Sequence, residues 1–410
     1  MTKQKLYIHI GTSKTGTTAL QNFFYINQDV LESHGIHYPL NDVWYRAHHR
    51  LGWVFNFRSM ASLPVDLKSP EQEWSEILES GGDKTLISSE TLSKCNPENI
   101  GCIKGYILEY DVKIIVYLRR QDAMLSSVMN QLTKHNNETE TDVQKIPREK
   151  DYFKMIQPWV ENFGRENIIV RPYEKGQFYG GSIFSDFLHF VFGLKLTDEF
   201  KIPERDHNSR LHRIALEYKR FLNFLPLTIE QKRDTVELLR QYSQQLYAQQ
   251  QEDYDISSPS QCLEIIQQCA ESNEKIAREF LKREDGKLFY DPLPNPKRPW
   301  KSYPGLLSKD DVRQISHLIV ERDQEFAKRL ALAIRTSKRS NDNEIKIAAK
   351  KLAAGLNVLM NRRERSEVYK ERCIRAVRFI YHKLPKRVQP GLKKVVSKLK
   401  NVKEDNITNV

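Results

Sequence analysis

Short apolar strand segments alternate with helical segments over residues 6–174 of the 410-residue chain. Between them, apolar residues recur three or four positions apart, which is the helical period. The strand segments are LYIHIG at 6–11, TLISSE at 85–90, VKIIVYLR at 112–119 and NIIVRPYE at 167–174. Parallel strands need long crossover connections, which are usually helices. This order therefore predicts an α/β fold in which a parallel sheet is flanked by helices.

The remainder of the chain is mainly helical in pattern. Residues 180–335 read as helices interrupted by a proline-rich loop, DPLPNPKRPWKSYP at 291–304. The polar segment TSKRSNDNE at 336–344 predicts a linker, and basic amphipathic helices follow it. We therefore predict one domain over 1–335 and a basic helical tail over 336–410.

The net charge of +12 lies in that tail. Residues 336–410 hold 20 Lys and Arg against 7 Asp and Glu, a net +13, which leaves −1 for residues 1–335. A nearly neutral main body argues against a nucleic-acid-binding protein, so no specific nucleic acid partner is predicted. An apolar stripe paired with basic residues is typical of interfacial helices and predicts docking on an anionic membrane surface. A solvated extension, or packing of 344–360 on the main body, remains an alternative.

The apolar runs and the cysteine spacing of the sequence bear on the cellular compartment and on metal binding. No apolar run approaches the roughly 18 residues that cross a bilayer, and LYIHIG is too short for the apolar region of a signal peptide. The five cysteines show no metal-ligand spacing. We expect a cytoplasmic protein, peripheral on the inner face of the membrane through its tail, that needs no metal.

The segment GTSKTGTT at 11–18 joins the first strand directly to a helix. Free N–H groups and the positive end of the helix dipole make such a junction a site for anions. The spacing of Gly11 and Gly16 matches a Walker A loop, which would place Lys at position 17. Here that residue is Thr17, and the lysine is Lys14 at the centre of the loop. A nucleotide kinase therefore remains only as an alternative.

A second pattern lies in YLRRQDAMLSS at 117–127. Arg119 stands at the end of a strand, and Ser127 follows two helical turns later. A guanidinium and a hydroxyl so placed can converge on one phosphate group. Arg120 and Ser126 are the alternative register.

Together these patterns resemble the sulfotransferase family. IHIGTSKTGTTALQ is similar to the family's 5′-phosphosulfate loop, in the K-x-G-T-T form of carbohydrate and cytosolic members, and looks most like bacterial ones. The pair Arg119 and Ser127 resembles its 3′-phosphate motif. The likeness covers about residues 5–330, and PWKSYP at 299–304 vaguely resembles the family's basic loop over the nucleotide.

The resemblance implies 3′-phosphoadenosine 5′-phosphosulfate (PAPS) as co-substrate. Lys14 would contact the oxygen that bridges sulfur and the 5′-phosphate. The remaining residues that the resemblance assigns to the nucleotide are Thr15, Gly16, Thr17, Thr18, Arg119, Ser127 and Lys301. The implied reaction is in-line transfer of a sulfuryl group to a hydroxyl of a glycan, a glycolipid or a related acceptor.

Such a transfer also needs a general base for the hydroxyl. Glu90 lies at the end of a strand, where the family's strands deliver active-site residues, and His48 and His49 follow the first helix, where carbohydrate members carry a glutamate. Glu90, His48 and His49 stay open as candidates. A non-catalytic, nucleotide-binding scaffold at a membrane surface is the rival from another functional class.

Overall fold

The computed structural model describes residues 3–40, 46–56, 67–79, 82–146, 150–204, 210–251, 253, 255–300, 306–360, 374 and 376. The chain divides into two compact units, each built from discontinuous segments. The first unit comprises 1–129, 142–209 and 255–300, and the second comprises 130–141, 210–254 and 301–410.

A parallel sheet of five strands forms the centre of the first unit. Its strands are β1 (Lys5–His9), β2 (Ile36–His37), β3 (Lys84–Ser88), β4 (Asp111–Leu118) and β5 (Ile168–Pro172). They lie in the order β2-β3-β1-β4-β5, so the phosphate-loop strand β1 is central and pairs with β3 and β4. The predicted parallel sheet is confirmed. The two-residue strand β2 is too short to leave a pattern in the sequence.

Helices account for most of the other described residues. They are α1 (Thr17–Ile26), α2 (Gln28–Ser33), α3 (Arg50–Asn56), α4 (Pro70–Glu79), α5 (Pro97–Tyr106), α6 (Gln121–His135), α7 (Tyr152–Phe163), α8 (Ile183–Phe187), α9 (Arg213–Asn223), α10 (Ile229–Ala248), α11 (Pro259–Gln268), α12 (Ala270–Leu281), α13 (Lys309–Arg322), α14 (Gln324–Ser337), α15 (Asn343–Leu352) and α16 (Leu356–Leu359). A π-helical turn, Leu188–Phe192, extends α8.

Alternate side chains of each strand pack on opposite faces of the sheet, as the period of two requires. Leu6 and Ile8 of β1 join a buried cluster with Trp74 of α4 and Trp159 of α7. Tyr7 points to the other face and packs in a cluster with side chains of α1 and α8. The predicted layers, with helices on both faces of the sheet, are confirmed. Both faces of β1 are buried, so its carboxyl end is where this strand can present functional groups.

The second unit is helical among the residues that the structure describes. Helix α13 packs with α14 and α16, and α14 packs with α15. The boundary predicted at 335/336 therefore falls inside this unit. The predicted linker instead holds the end of α14, a short turn and the start of α15, whose Ala348, Ala349 and Leu352 are buried. Most of the predicted basic tail, apart from 336–360, lies outside the described residues. No helix among those described is long and apolar enough to cross a membrane.

Candidate active site

The phosphate loop, residues 10–16, continues the line of β1 and then turns into α1. The amide of Ile10 donates to the carbonyl of Ile115 at 2.9 Å, and that of Thr12 donates to the carbonyl of Tyr117 at 3.0 Å. The amide of Tyr117 donates back to the carbonyl of Gly11 at 2.7 Å. The first half of the loop is thus fixed to β4 by the same type of bond that holds the sheet.

The second half of the loop is a tight turn that only certain residues tolerate. Gly16, the residue before α1, has φ 76°, and a Cβ there would lie 2.9 Å from both the Tyr173 ring and Ile183. The hydroxyl of Thr15 is fully buried and donates to the carbonyl of Thr12. Thr15 therefore shapes the loop through its side chain and offers a ligand only its main chain. The turn leads directly into the first N–H groups of α1, which lack partners inside a helix and favour anions.

Lys14 occupies the apex of this turn with φ 72°. Its side chain is half-exposed, whereas Thr17 is buried and Thr18 is exposed at the start of α1. The carbonyl of Lys14 accepts a hydrogen bond from Nη1 of Arg119 at 3.1 Å. The structure thus brings the predicted 3′-phosphate arginine to the predicted 5′-phosphate loop, although the two lie more than a hundred positions apart in the chain.

Arg119 and Arg120 have different surroundings. The guanidinium of Arg119 also lies 5.6 Å from the centre of the Tyr173 ring. Arg120 donates to both carboxylate oxygens of Asp122, at 2.9 and 3.1 Å, and to the carbonyls of Asp291 and Pro292. Arg120 therefore fixes neighbouring chain segments, and the geometry favours Arg119 as the ligand-facing residue.

The two candidate serines on α6 differ in how exposed they are. Ser126 is buried at 5% exposure, whereas Ser127 is half-buried. A ligand can more readily reach Ser127. This agrees with the register in which Arg119 and Ser127 act together.

Glu90 lies directly against the phosphate loop. A Cβ on Gly11, which has φ 101°, would come within 2.9 Å of the Glu90 Cβ. Its Oε2 accepts a hydrogen bond from Nε2 of Gln21 at 3.2 Å, and Nε2 of His49 lies 4.0 Å from the same oxygen. Two of the three candidate bases are therefore neighbours beside the loop.

His49 and His48 are consecutive but serve different contacts. Nδ1 of His49 lies 3.1 Å from the Ser89 hydroxyl, and its side chain retains 14% exposure. His48 is fully buried, accepts from the amide of Ser88 at Nδ1 and contacts the carbonyl of Pro39 at Nε2. Both ring nitrogens of His48 are engaged by the main chain, so its geometry suits a structural role.

Burial controls the charge of these histidines. It lowers the pKa of His48 to about 4, and also that of His9, a core histidine of β1. Burial lowers the pKa of His49 as well, while the nearby Glu90 opposes that shift. All three imidazoles are therefore neutral at neutral pH, and a neutral imidazole can accept a proton.

A cavity of about 620 Å³ opens beside the first residues of the loop. Thr12 and Ser13 form part of its wall, and Ser93–Cys95, just after Glu90, form another part. Its apolar lining includes Met124, Val128, Tyr152, Met155, Pro97 and Pro158, with Lys94, Lys154 and Glu161 as its charged members. The cavity has room for a small acceptor molecule or for one end of a larger one.

Glu174 anchors the segment that leads towards the predicted basic loop. Its buried carboxylate accepts from the amides of Tyr290 at 2.8 Å and Asp291 at 2.6 Å. Arg120 holds the carbonyls of this segment, as described above. Lys301, the predicted phosphate contact in that loop, lies outside the described residues.

Two residues at the site were not predicted from the sequence. The Tyr173 ring lies beside both Arg119 and Gly16, and it could have been found because it follows β5 at the carboxyl edge of a parallel sheet. Gln21 lies one turn after Thr17 on the buried face of α1, and its residue type alone gives no signal of a functional role. Its contact with Glu90 required the three-dimensional structure.

Two known proteins resemble this chain over about half of its length. No family model matches the chain. An uncharacterised protein of Archaeoglobus fulgidus is 27% identical over 197 residues, which are 48% of this chain and 53% of the relative, so the match spans about half of that relative's length. The crystal structure of a sulfotransferase from Alicyclobacillus acidocaldarius aligns with a TM-score of 0.33 and 15% identity, covering 58% of this chain and 96% of that one. At that level of superposition, the likeness carries no functional conclusion.

Proposed function

We propose that this protein is a sulfotransferase that moves a sulfuryl group from PAPS to a hydroxyl acceptor. The observation that carries the proposal is the hydrogen bond from Arg119 to the carbonyl of Lys14. It joins two sequence patterns that separately resemble the two phosphate-binding motifs of one nucleotide. A nucleotide with phosphates at both the 3′ and 5′ positions matches such a pair of sites.

The loop and α1 supply the positive field for the 5′ end. In-line transfer forms a bond from the acceptor oxygen to sulfur and breaks the bond from sulfur to the 5′-phosphate oxygen, which leaves with the electron pair. Lys14, at the apex of the loop, and the N-terminus of α1 can stabilise the charge that grows on that oxygen. Charge stabilised only in the transition state raises turnover rather than affinity.

Glu90 is the favoured base for the acceptor proton. Its side chain lies against Gly11 of the loop and retains 23% exposure, so an acceptor hydroxyl can reach it. His49 remains the alternative because its imidazole is neutral at neutral pH and lies beside Glu90. In either case, the proton leaves the acceptor as its oxygen bonds to sulfur.

The cavity beside Thr12 and Ser13 is the proposed site of the acceptor. Its apolar walls suit the hydrophobic part of a glycolipid or a similar amphiphile, and Lys94 and Lys154 suit an anionic group on it. This favours a glycolipid or a charged glycan precursor over a neutral free sugar. The basic tail would then hold the enzyme at the membrane surface where such acceptors lie.

Calorimetry with 3′,5′-phosphoadenosine tests the proposed donor. The protein should bind it much more tightly than 5′-AMP, because only the former offers a phosphate to Arg119 and Ser127. Equal affinity for the two ligands would contradict the proposal. Preference for ATP with Mg²⁺ would support the kinase alternative, and binding without transfer to any hydroxyl acceptor would support the scaffold.

A further inference from the structure

Gln21 links the phosphate-loop helix to the candidate base. It is buried at 2% exposure and lies one turn into α1. Its side-chain nitrogen Nε2 donates to Oε2 of Glu90 at 3.2 Å and to Oγ of Ser88 at 3.2 Å. A primary amide nitrogen carries two hydrogens, so both bonds can form together.

The contacts on Glu90 define which oxygen can work as a base. Gln21 donates to Oε2, and His49 faces the same oxygen at 4.0 Å. Oε1 is then the oxygen that can accept the hydroxyl proton of the acceptor. A donor to a carboxylate favours its ionised form, which is the form that a general base requires.

The groups behind Gln21 form a neutral, buried support. Oγ of Ser88 lies 2.9 Å from Nδ1 of His9, and burial lowers the pKa of His9 to about 4. Tyr38, the other titratable group facing Glu90 along with His9 and His49, has its pKa raised well above the usual range by burial. Lys94 faces His49 in turn. His9, His49 and Tyr38 are therefore uncharged at neutral pH.

We propose that Gln21 is a positioning residue that orients the Glu90 carboxylate through their hydrogen bond. Because Gln21 belongs to α1, the helix whose N-terminus would face the 5′-phosphate also fixes the base that receives the acceptor proton. The same helix thereby follows the donor loop directly and contacts the base. This inference rests on the proposed function, in which Glu90 acts as the base.

The first test does not depend on catalysis. Protein carrying carbon-13 in its glutamate carboxyl groups is examined by NMR at one fixed pH, and the Glu90 signal is identified by its loss in Glu90→Gln. In Gln21→Leu, the Glu90 signal should move from its wild-type position, because the carboxylate has lost a hydrogen-bond donor. An unchanged signal would overturn the inference, whether or not the protein transfers sulfuryl groups.

The second test uses turnover with labelled PAPS. Gln21→Leu should lower kcat roughly 10- to 100-fold, the effect of one hydrogen bond to a charged group, and leave the KM for PAPS unchanged. In a Glu90→Gln background, it should have no further effect. Asn22→Leu is the matched control, since Asn22 is the adjacent amide on α1 and contacts Arg46 instead.

Additive losses in the double variant would show that Gln21 does not act through Glu90. A fully active Glu90→Gln would overturn the inference and the choice of base together, while leaving the sulfotransferase itself intact. A wild type without transfer would refute the proposed function, and the NMR comparison would still decide whether Gln21 acts on Glu90.

Discussion

Arg119 and Arg120 follow β4 directly, and a shift of one position decides which of them is the candidate phosphate ligand. Both could serve a phosphate by residue type, and the sequence left Arg120 open as an alternative. In the structure, Arg120 donates hydrogen bonds to Asp122 and to two main-chain carbonyls. Arg119 instead donates to a main-chain carbonyl of the phosphate loop. Both residues lie in the two-residue connection between β4 and α6, yet their guanidinium groups contact different segments of the chain.

Arg119→Ala should weaken binding of 3′,5′-phosphoadenosine about 10- to 150-fold, since a hydrogen bond to a charged group contributes about 1.5–3 kcal/mol. Discrimination against 5′-AMP should shrink by the same factor. Calorimetry measures both effects. Arg120→Ala is the matched control and should lower the melting temperature without changing this discrimination. A selective loss in Arg120→Ala alone would show that the register is wrong by one.

Glu90→Gln should nearly abolish transfer while 3′,5′-phosphoadenosine still binds, because the amide keeps the shape of the side chain and removes the proton acceptor. Turnover with labelled PAPS measures the loss of transfer, and calorimetry measures the retained binding. His49→Asn should retain part of the activity. An active Glu90→Gln together with an inactive His49→Asn would reverse the two roles.

The sequence identified candidate site residues where the type of side chain and its position are informative by themselves. Lys14, Arg119 and Glu90 are charged groups at strand ends or in a glycine-containing loop, and such groups can be recognised in a sequence. Gln21 cannot, because an amide on a buried helical face shows no pattern. Thr15 was expected to contact phosphate, yet its hydroxyl is used inside the loop.

At the scale of elements, the longer strands were predicted because buried parallel strands leave continuous apolar runs. Helices α3 and α4 lie between β2 and β3, in a stretch for which the sequence analysis predicted no helix. The seven residues of α3 are too few to show a helical period, whereas α4 was simply missed. The cavity could not be predicted either, since its walls come from α5, α6, α7 and the segment after β3.

Lys154→Glu tests the cavity as the acceptor site. This exposed lysine of α7 lines the cavity, so reversing its charge should raise the KM for an anionic acceptor several-fold and leave donor affinity unchanged. The effect should weaken at high salt. Lys104→Glu, on an exposed face of α5 outside this cavity, is the control. Equal effects from both variants would contradict the assignment.

For the molecule as a whole, the charge distribution was evident from the sequence, but the domain boundary was not. The polar segment 336–344 resembles a linker because most of its residues are exposed, yet the apolar face of α15 that follows is buried against its own unit. Residues 306–360 belong together structurally. A truncation intended to remove the basic tail should therefore end at 360.

Full-length protein should sediment with anionic vesicles at low salt, and a 1–360 truncation should not. If five basic side chains reach the lipid surface, roughly 1 kcal/mol each gives about 5 kcal/mol, which salt would weaken strongly. Neutral vesicles are the control. A full-length protein that ignores anionic vesicles at low salt would rule out membrane docking by the tail.

Transfer of labelled sulfur from PAPS tests the central claim most directly. Wild-type protein incubated with PAPS carrying radioactive sulfur and fractionated cell-envelope extracts should label a hydroxyl-bearing acceptor. Lys14→Ala should bind 3′,5′-phosphoadenosine nearly as well but transfer about 10²–10³-fold more slowly, because the lysine charge acts mainly on the leaving oxygen in the transition state. A Lys14→Ala variant that transfers label at the wild-type rate would contradict this account.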